Sequence, residues 1–179
     1  MPPLMRSNEE AHLYLDLNPC PCGGQDASRD SGVRVEDGAW IVRYTCVCAD
    51  CGSAREAEFR QADEPVRPPA GTWSVGPEPS ELVDAGEWLT VSDWFAAAPG
   101  SPDGLDFAQQ RQAQEDLVSA AAAVAEALKF LAPGEEAVPE RALWSDRGRA
   151  LYDTDPERFG RPRLEWLHNG YLALAARFG

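Results

Sequence analysis

The sequence predicts an α+β fold in which a small cysteine-stapled, three-stranded antiparallel sheet packs on a C-terminal bundle of three to five helices. Three observations lead there. The cysteines fall in two glycine-flanked knuckles, Cys20-Pro-Cys22-Gly-Gly and Cys48-Ala-Asp-Cys51-Gly. From about residue 33 to 60, apolar and polar residues alternate with the period of two that marks a strand with one covered face. From Ser80 onward the period lengthens to three and four, as in helices packed by one stripe.

The knuckle spacing points four thiolates at one cation. Zn²⁺ prefers tetrahedral sulfur, and the glycine after the second cysteine of each knuckle accepts the left-handed turn that lets backbone amides approach the sulfurs. Cys20, Cys22, Cys48 and Cys51 are the expected ligands of one structural zinc per chain. A fifth cysteine leaves another ligand set open, because Cys46-Val-Cys48 repeats the spacing of Cys20-Pro-Cys22. Against it, Trp40, Val42, Tyr44 and Cys46 alternate along one strand face, which places Cys46 in the core as a free thiol. Disulfides are the other reading of clustered cysteines. The opening residues form no apolar or basic leader, so the chain is expected in the reducing cytosol, where zinc thiolates persist.

Each element then has its own signal. Ser31-Gly32 and Asp37-Gly38 read as turns bracketing a strand over 33–36, a second strand follows over 39–45, and a third over 54–60 alternates Ala57 and Phe59 with Glu56, Glu58 and Arg60. Two knuckles and a hairpin over about residues 10–64 resemble the zinc-ribbon superfamily. That resemblance covers the first third of the chain, and its first knuckle is one residue shorter than the common form. It implies a ribbon fold around structural zinc. Ribbons bind nucleic acid, bind protein or only stabilise, so function stays open.

Residues 65–79 are proline-rich and read as a linker that packs across the body, since Trp73 and Val75 are costly to leave in water. The helical domain is expected over 80–179. Asp84 to Glu87 has capping-box spacing, and Trp88, Val91, Phe95 and Ala98, widened by Leu89 and Trp94, form a stripe that ends at Pro99-Gly100. Asp106 and Gln109 open a longer helix carrying Leu117, Ala121, Val124, Leu128 and Leu131. Ser145 caps a segment to about Asp153, Asp155-Pro156 reads as a helix start, and a last helix over 161–178 has Leu164, Leu167, Tyr171, Leu174 and Phe178 as its inner seam.

Charge restricts the function classes. Thirty acidic residues against sixteen basic ones leave a net charge of −14, and residues 16–64 carry ten acidic against five basic groups. Phosphate-gripping surfaces need the opposite sign, so nucleic-acid binding by the sheet domain is disfavoured. Only the stretch from Ser145 is not acidic, with Arg147, Arg149, Arg158, Arg161 and Arg163 around two helix starts, where they would meet a partner's acid or pair internally. No apolar run approaches the roughly 20 residues of a membrane helix. Arginine supplies fifteen of the sixteen basic residues, the bias of a high-GC bacterial genome.

Enzyme motifs for nucleophilic, nucleotide or metalloprotease chemistry do not occur. Glu165 and His168 have E-x-x-H spacing, but a di-iron bundle needs two copies and further glutamates. His12 is a spare imidazole beside a ligand set that four cysteines already complete. Six tryptophans suggest an aromatic cluster, with Trp73 the first suspect for a partner contact. The expected function is a non-enzymatic, protein-binding module that meets a basic protein, in the manner of an acidic immunity protein, antitoxin or adaptor. The alternatives are a nucleic-acid or transcription-related ribbon using the C-terminal arginines, and an enzyme with an unrecognised site, where Glu87, Glu165 or His168 would matter.

Overall fold

Asp37 and Gly38 both take positive φ, 50° and 83°, the pair that a two-residue hairpin turn requires. This turn joins β2 (Ala27–Glu36) to β3 (Ala39–Cys48), and the ladder runs unbroken from Glu36↔Ala39 to Ala27↔Cys48. β4 (Ala54–Gln61) pairs antiparallel with β3, and β1 (Leu4–Met5) pairs parallel with β4, giving the order β1-β4-β3-β2. This computed structural model describes residues 1–62, 67–68, 73, 76–97 and 99–178. Much of the proline-rich segment expected over 65–79, including Val75, lies outside the described residues, as does Ala98.

The chain divides into two compact units, Met1–Arg67 with Ser80–Leu82, and Pro68–Pro79 with Val83–Gly179. In the first, the expected three-stranded antiparallel sheet is corrected to a four-stranded mixed one, and a helix, α1 (Asn8–Leu17), accompanies it, so the unit is not a simple ribbon. Ser7 caps α1 by accepting from Glu10 N–H at 3.1 Å, and the buried Glu10 carboxylate accepts from Arg6 N–H and its guanidinium. Edge-on ring contacts of His12 with Tyr44 and of Tyr14 with Phe59, both at 5.4 Å, place α1 over one sheet face. On the other face Glu58 accepts from both Arg34 and Arg43, which hold its carboxyl below the ordinary range. Ser31-Gly32 is not a turn: Gly32 stands opposite Arg43 inside the ladder, where pairing along ten residues outweighs local turn preference.

The second unit holds α2 (Ala85–Ala96), α3 (Phe107–Leu128), α4 (Asp146–Thr154) and α5 (Arg161–Ala175). Both expected capping boxes form, and α3 packs on α2 and α5 through a stripe that includes buried Leu117, Ala120, Ala121 and Val124. Asp155-Pro156 opens a short 3-10 turn, Pro156–Phe159, rather than an α-helix. Of the residues expected on the α2 stripe, Trp88, Leu89 and Val91 are buried, whereas Trp94 faces solvent.

The starts of α2 and α4 are locked together. Buried Asp84 accepts from Glu87 N–H at 2.8 Å through Oδ1 and from Ser145 N–H at 2.6 Å through Oδ2, so one carboxylate serves both helix entries. The backbones meet at glycines: a Cβ on Gly86 would lie 2.4 Å from Gly148 Cα. Glu87 is trapped in this junction, and burial pushes its pKa up to about 7, with the Asp84 N–H and Arg147 opposing the rise and the Asp84 charge adding to it. A carboxyl raised in the folded state contributes stability below its unfolded pKa and loses it as pH rises through the folded value. Glu87→Gln, which keeps an acceptor for the Asp84 N–H, should therefore lose stability relative to the parent as pH falls from 8 to 5. Paired urea melts at the two pH values measure that difference; a constant offset would contradict it.

Candidate metal centre

Each knuckle is built by a backbone reversal that its glycine permits. Gly23 N–H donates to Cys20 O at 2.8 Å with φ 88°, and Gly52 N–H donates to Cys48 O at 2.9 Å with φ 70°. The second knuckle sits at the β3–β4 connection, where Cys48 N–H donates to Ser53 O at 3.0 Å and Ala49 N–H to Asp26 O at 2.9 Å. The first knuckle follows α1 and is tied to β4 by Arg55, whose Nη1 donates to the carbonyls of Asn18 at 2.7 Å and Pro19 at 3.0 Å.

These supports bring Cys20, Cys22, Cys48 and Cys51 together, with all four sulfurs within 4.8 Å of one another. The Cys20–Cys51 and Cys22–Cys48 separations are 3.6 Å. Sulfurs about 2.3 Å from a common tetrahedral ion stand ~3.8 Å apart, so this group can hold one metal ion. Cys20 and Cys48 are buried, and Cys22 and Cys51 form the exposed rim. Cys46 lies buried in β3, outside the group.

The two rim thiols differ. Gly24 N–H, 3.4 Å from Cys22 Sγ, favours that thiolate, yet the three neighbouring sulfurs push the thiol up to about 12. Ser53, through its hydroxyl 3.3 Å away and then its N–H, brings Cys51 down to about 6. Cys22 thus keeps a proton that a bound cation would displace. Three contributors escape the cysteine pattern: Ser53, Arg55 and Gly24. A Cβ on Gly24 would lie 2.8 Å from Cys48 Sγ and 2.5 Å from Asp50 Oδ2. The second glycine of Cys22-Gly-Gly was the legible trace of that approach.

The remaining candidates sit elsewhere. Arg158 forks onto Asp93, Arg161 donates to the carbonyls of Glu135 and Ala132 and lies 4.0 Å from Glu165, and Arg163 lies over the Trp166 ring at 4.4 Å. Arg147 stands 6.0 Å from the Trp94 centroid, and Arg149 lines a shallow hollow with Glu140, Tyr152 and Asp153. Trp73 is half-buried against Trp88 and Phe95, at 5.9 and 5.4 Å. His168 Nδ1 lies 3.3 Å from Asn169 Oδ1, and among the described residues neither it nor Glu165 joins a ligand group. No helix among the described residues is long and apolar enough to cross a membrane. Comparison with protein-family models, curated proteins and solved structures finds no match.

Replacing any one of Cys20, Cys22, Cys48 or Cys51 with Ser should abolish stoichiometric metal binding, measured by mass spectrometry under native conditions, while Cys46→Ser keeps it. Gly24→Ala should weaken metal binding about 10–100-fold in a chelator competition, as loss of a supporting shell does. Unchanged affinity would show that the close approach is dispensable.

Proposed function

We propose that the protein is a non-enzymatic binding module whose four cysteines hold one structural Zn²⁺ and whose acidic surface receives a basic protein. Zinc is supported by donor chemistry: four thiolates at tetrahedral spacing match its preference, and they leave no open position for a substrate or water. The reading of a binding module rests on one observation above the others. In an acidic chain, the helical unit exposes Trp94, Trp144 and Trp166, the last at 61%. Each indole has a fixed neighbour, with Arg147 near Trp94, Phe130 at 5.9 Å from Trp144 and Arg163 over Trp166. Tryptophans held in place and open to solvent are the side chains most enriched at binding hot spots.

The same contacts weigh against the nucleic-acid alternative, because Arg158 is neutralised by Asp93 and Arg161 is occupied by carbonyls. An immunity or antitoxin role is the particular form that acidity and small size favour. The test is to recover the zinc-loaded chain from its native cytosol, identify the basic protein that accompanies it and reconstitute the pair. A one-to-one complex should weaken as salt rises, and Trp166→Ala or Trp94→Ala should weaken it by about tenfold or more. Affinity insensitive to salt and to both substitutions would contradict the proposal. Recovery of nucleic acid released by salt would replace it with the alternative.

A further inference from the structure

β2 is an edge strand of ten residues with no second neighbour among the described residues. Natural edges are usually blunted by proline, bulges, lysines or very short length. β2 has no proline, lysine or bulge and is not short: its ladder with β3 is unbroken, and its only protection is four charged side chains of balanced sign. The closing pair Glu36↔Ala39 of the two-residue turn is hydrogen-bonded, and Ala49 N–H donates to Asp26 O at the far end. Pair types alternate along the ladder, so the odd-numbered residues Arg29, Ser31, Val33 and Val35 turn their N–H and C=O outward. Beside that free edge Val33, Val35 and Trp40 are 57%, 58% and 52% exposed and share one sheet face.

We propose that the chain pairs with a second copy of itself along β2, antiparallel, with the two-fold axis at Gly32, merging two four-stranded sheets into one. Charge selects both occupant and register. β2 carries Arg29 and Arg34 against Asp30 and Glu36, so this strand is neutral within a chain of net charge −14, and little like-charge repulsion opposes pairing of two copies along it. With Gly32 opposite Gly32, Asp30 stands opposite Arg34 of the second copy, twice by symmetry, and side chains are closest at such non-hydrogen-bonded positions. Ser31 then exchanges backbone hydrogen bonds with Val33 of the second copy, and Arg29 with Val35. The neighbouring registers are poorer: one places Asp30 opposite Glu36, the other places it opposite Gly32 and Arg34 opposite Ser28. Asp30 is exposed; Arg34 is half-buried and already donates to Glu58 at 2.7 and 3.0 Å and to Glu36 at 2.7 Å, so Asp30 of a second copy would join an existing charge cluster rather than meet a free guanidinium. The surface does not depend on the identity of the metal or of the partner.

Sedimentation of the full-length, metal-loaded chain over a concentration series should show a reversible monomer–dimer equilibrium. Val33→Pro removes an outward N–H without touching the β2–β3 ladder, and should leave a monomer with unchanged metal stoichiometry and far-UV dichroism. Asp30→Arg, which needs no change in backbone, should weaken the dimer about tenfold or more. Mixing it with an Arg34→Asp chain whose far-UV dichroism matches the parent, since this change also removes the Glu58 and Glu36 partner, should restore pairing, because every pair opposed across the axis is then attractive. A chain that stays monomeric throughout, or a dimer that withstands both Val33→Pro and Asp30→Arg, would overturn the proposal. So would an equal mixture that fails to re-pair while both chains keep their metal.

Discussion

The convergence of four sulfurs on one point is the constraint on which the N-terminal unit depends. It joins the loop that leaves α1 to the connection between β3 and β4, two places that are remote in sequence. A core in a unit of this size supplies about 3–5 kcal/mol, whereas a thiolate zinc site contributes on the order of 10 kcal/mol to folding. A metal bound at the quartet would therefore be the larger stabilising influence, beside the small aromatic core of Tyr14, Tyr44 and Phe59. Arg55 and Gly24 belong to the same device, one pulling the first knuckle toward β4 and the other letting the chain pass close to Cys48.

The helical unit is held by a different means. Its stripe residues fill the space between α2, α3 and α5, while α2 and α4 meet at two glycines under a buried aspartate that serves both helix starts. Close backbone contact leaves little room for water beside Glu87, which is why its charge is costly there. One unit is thus organised around a cysteine quartet able to hold a cation, the other by apolar packing and capping. Exposed indoles on the helical unit and an open strand edge on the sheet unit are surfaces left over after each has satisfied its own core.

How far the sequence foretold this follows the range of the interaction involved. The knuckles, the Asp37-Gly38 turn and both capping boxes are local, with spacing that states their geometry, and they form as read. α1 has no counterpart in the sequence reading; Ser7 and Glu10 at capping-box spacing were its local signal, although Leu13, Leu15 and Leu17 recur at a period of two rather than a helical one. β1 has two residues and exists only through its parallel pairing with β4, so it has no local signature. Gly32 was misread because its turn preference is outweighed by a partner strand that the residues around it do not reveal. Trp94, expected on the apolar stripe of α2, faces solvent, since an apolar stripe on a helix does not tell how much of it a neighbour will cover.

The cysteine quartet is proposed to hold one zinc ion. X-ray absorption at the zinc edge of the protein purified without added metal tests it most directly. A zinc-filled quartet would show one zinc per chain with four sulfur neighbours at about 2.3 Å and no directly bound nitrogen or oxygen. A mixed sulfur and light-atom shell, or a metal-free protein whose Cys20, Cys22, Cys48 and Cys51 are joined as disulfides, would contradict it.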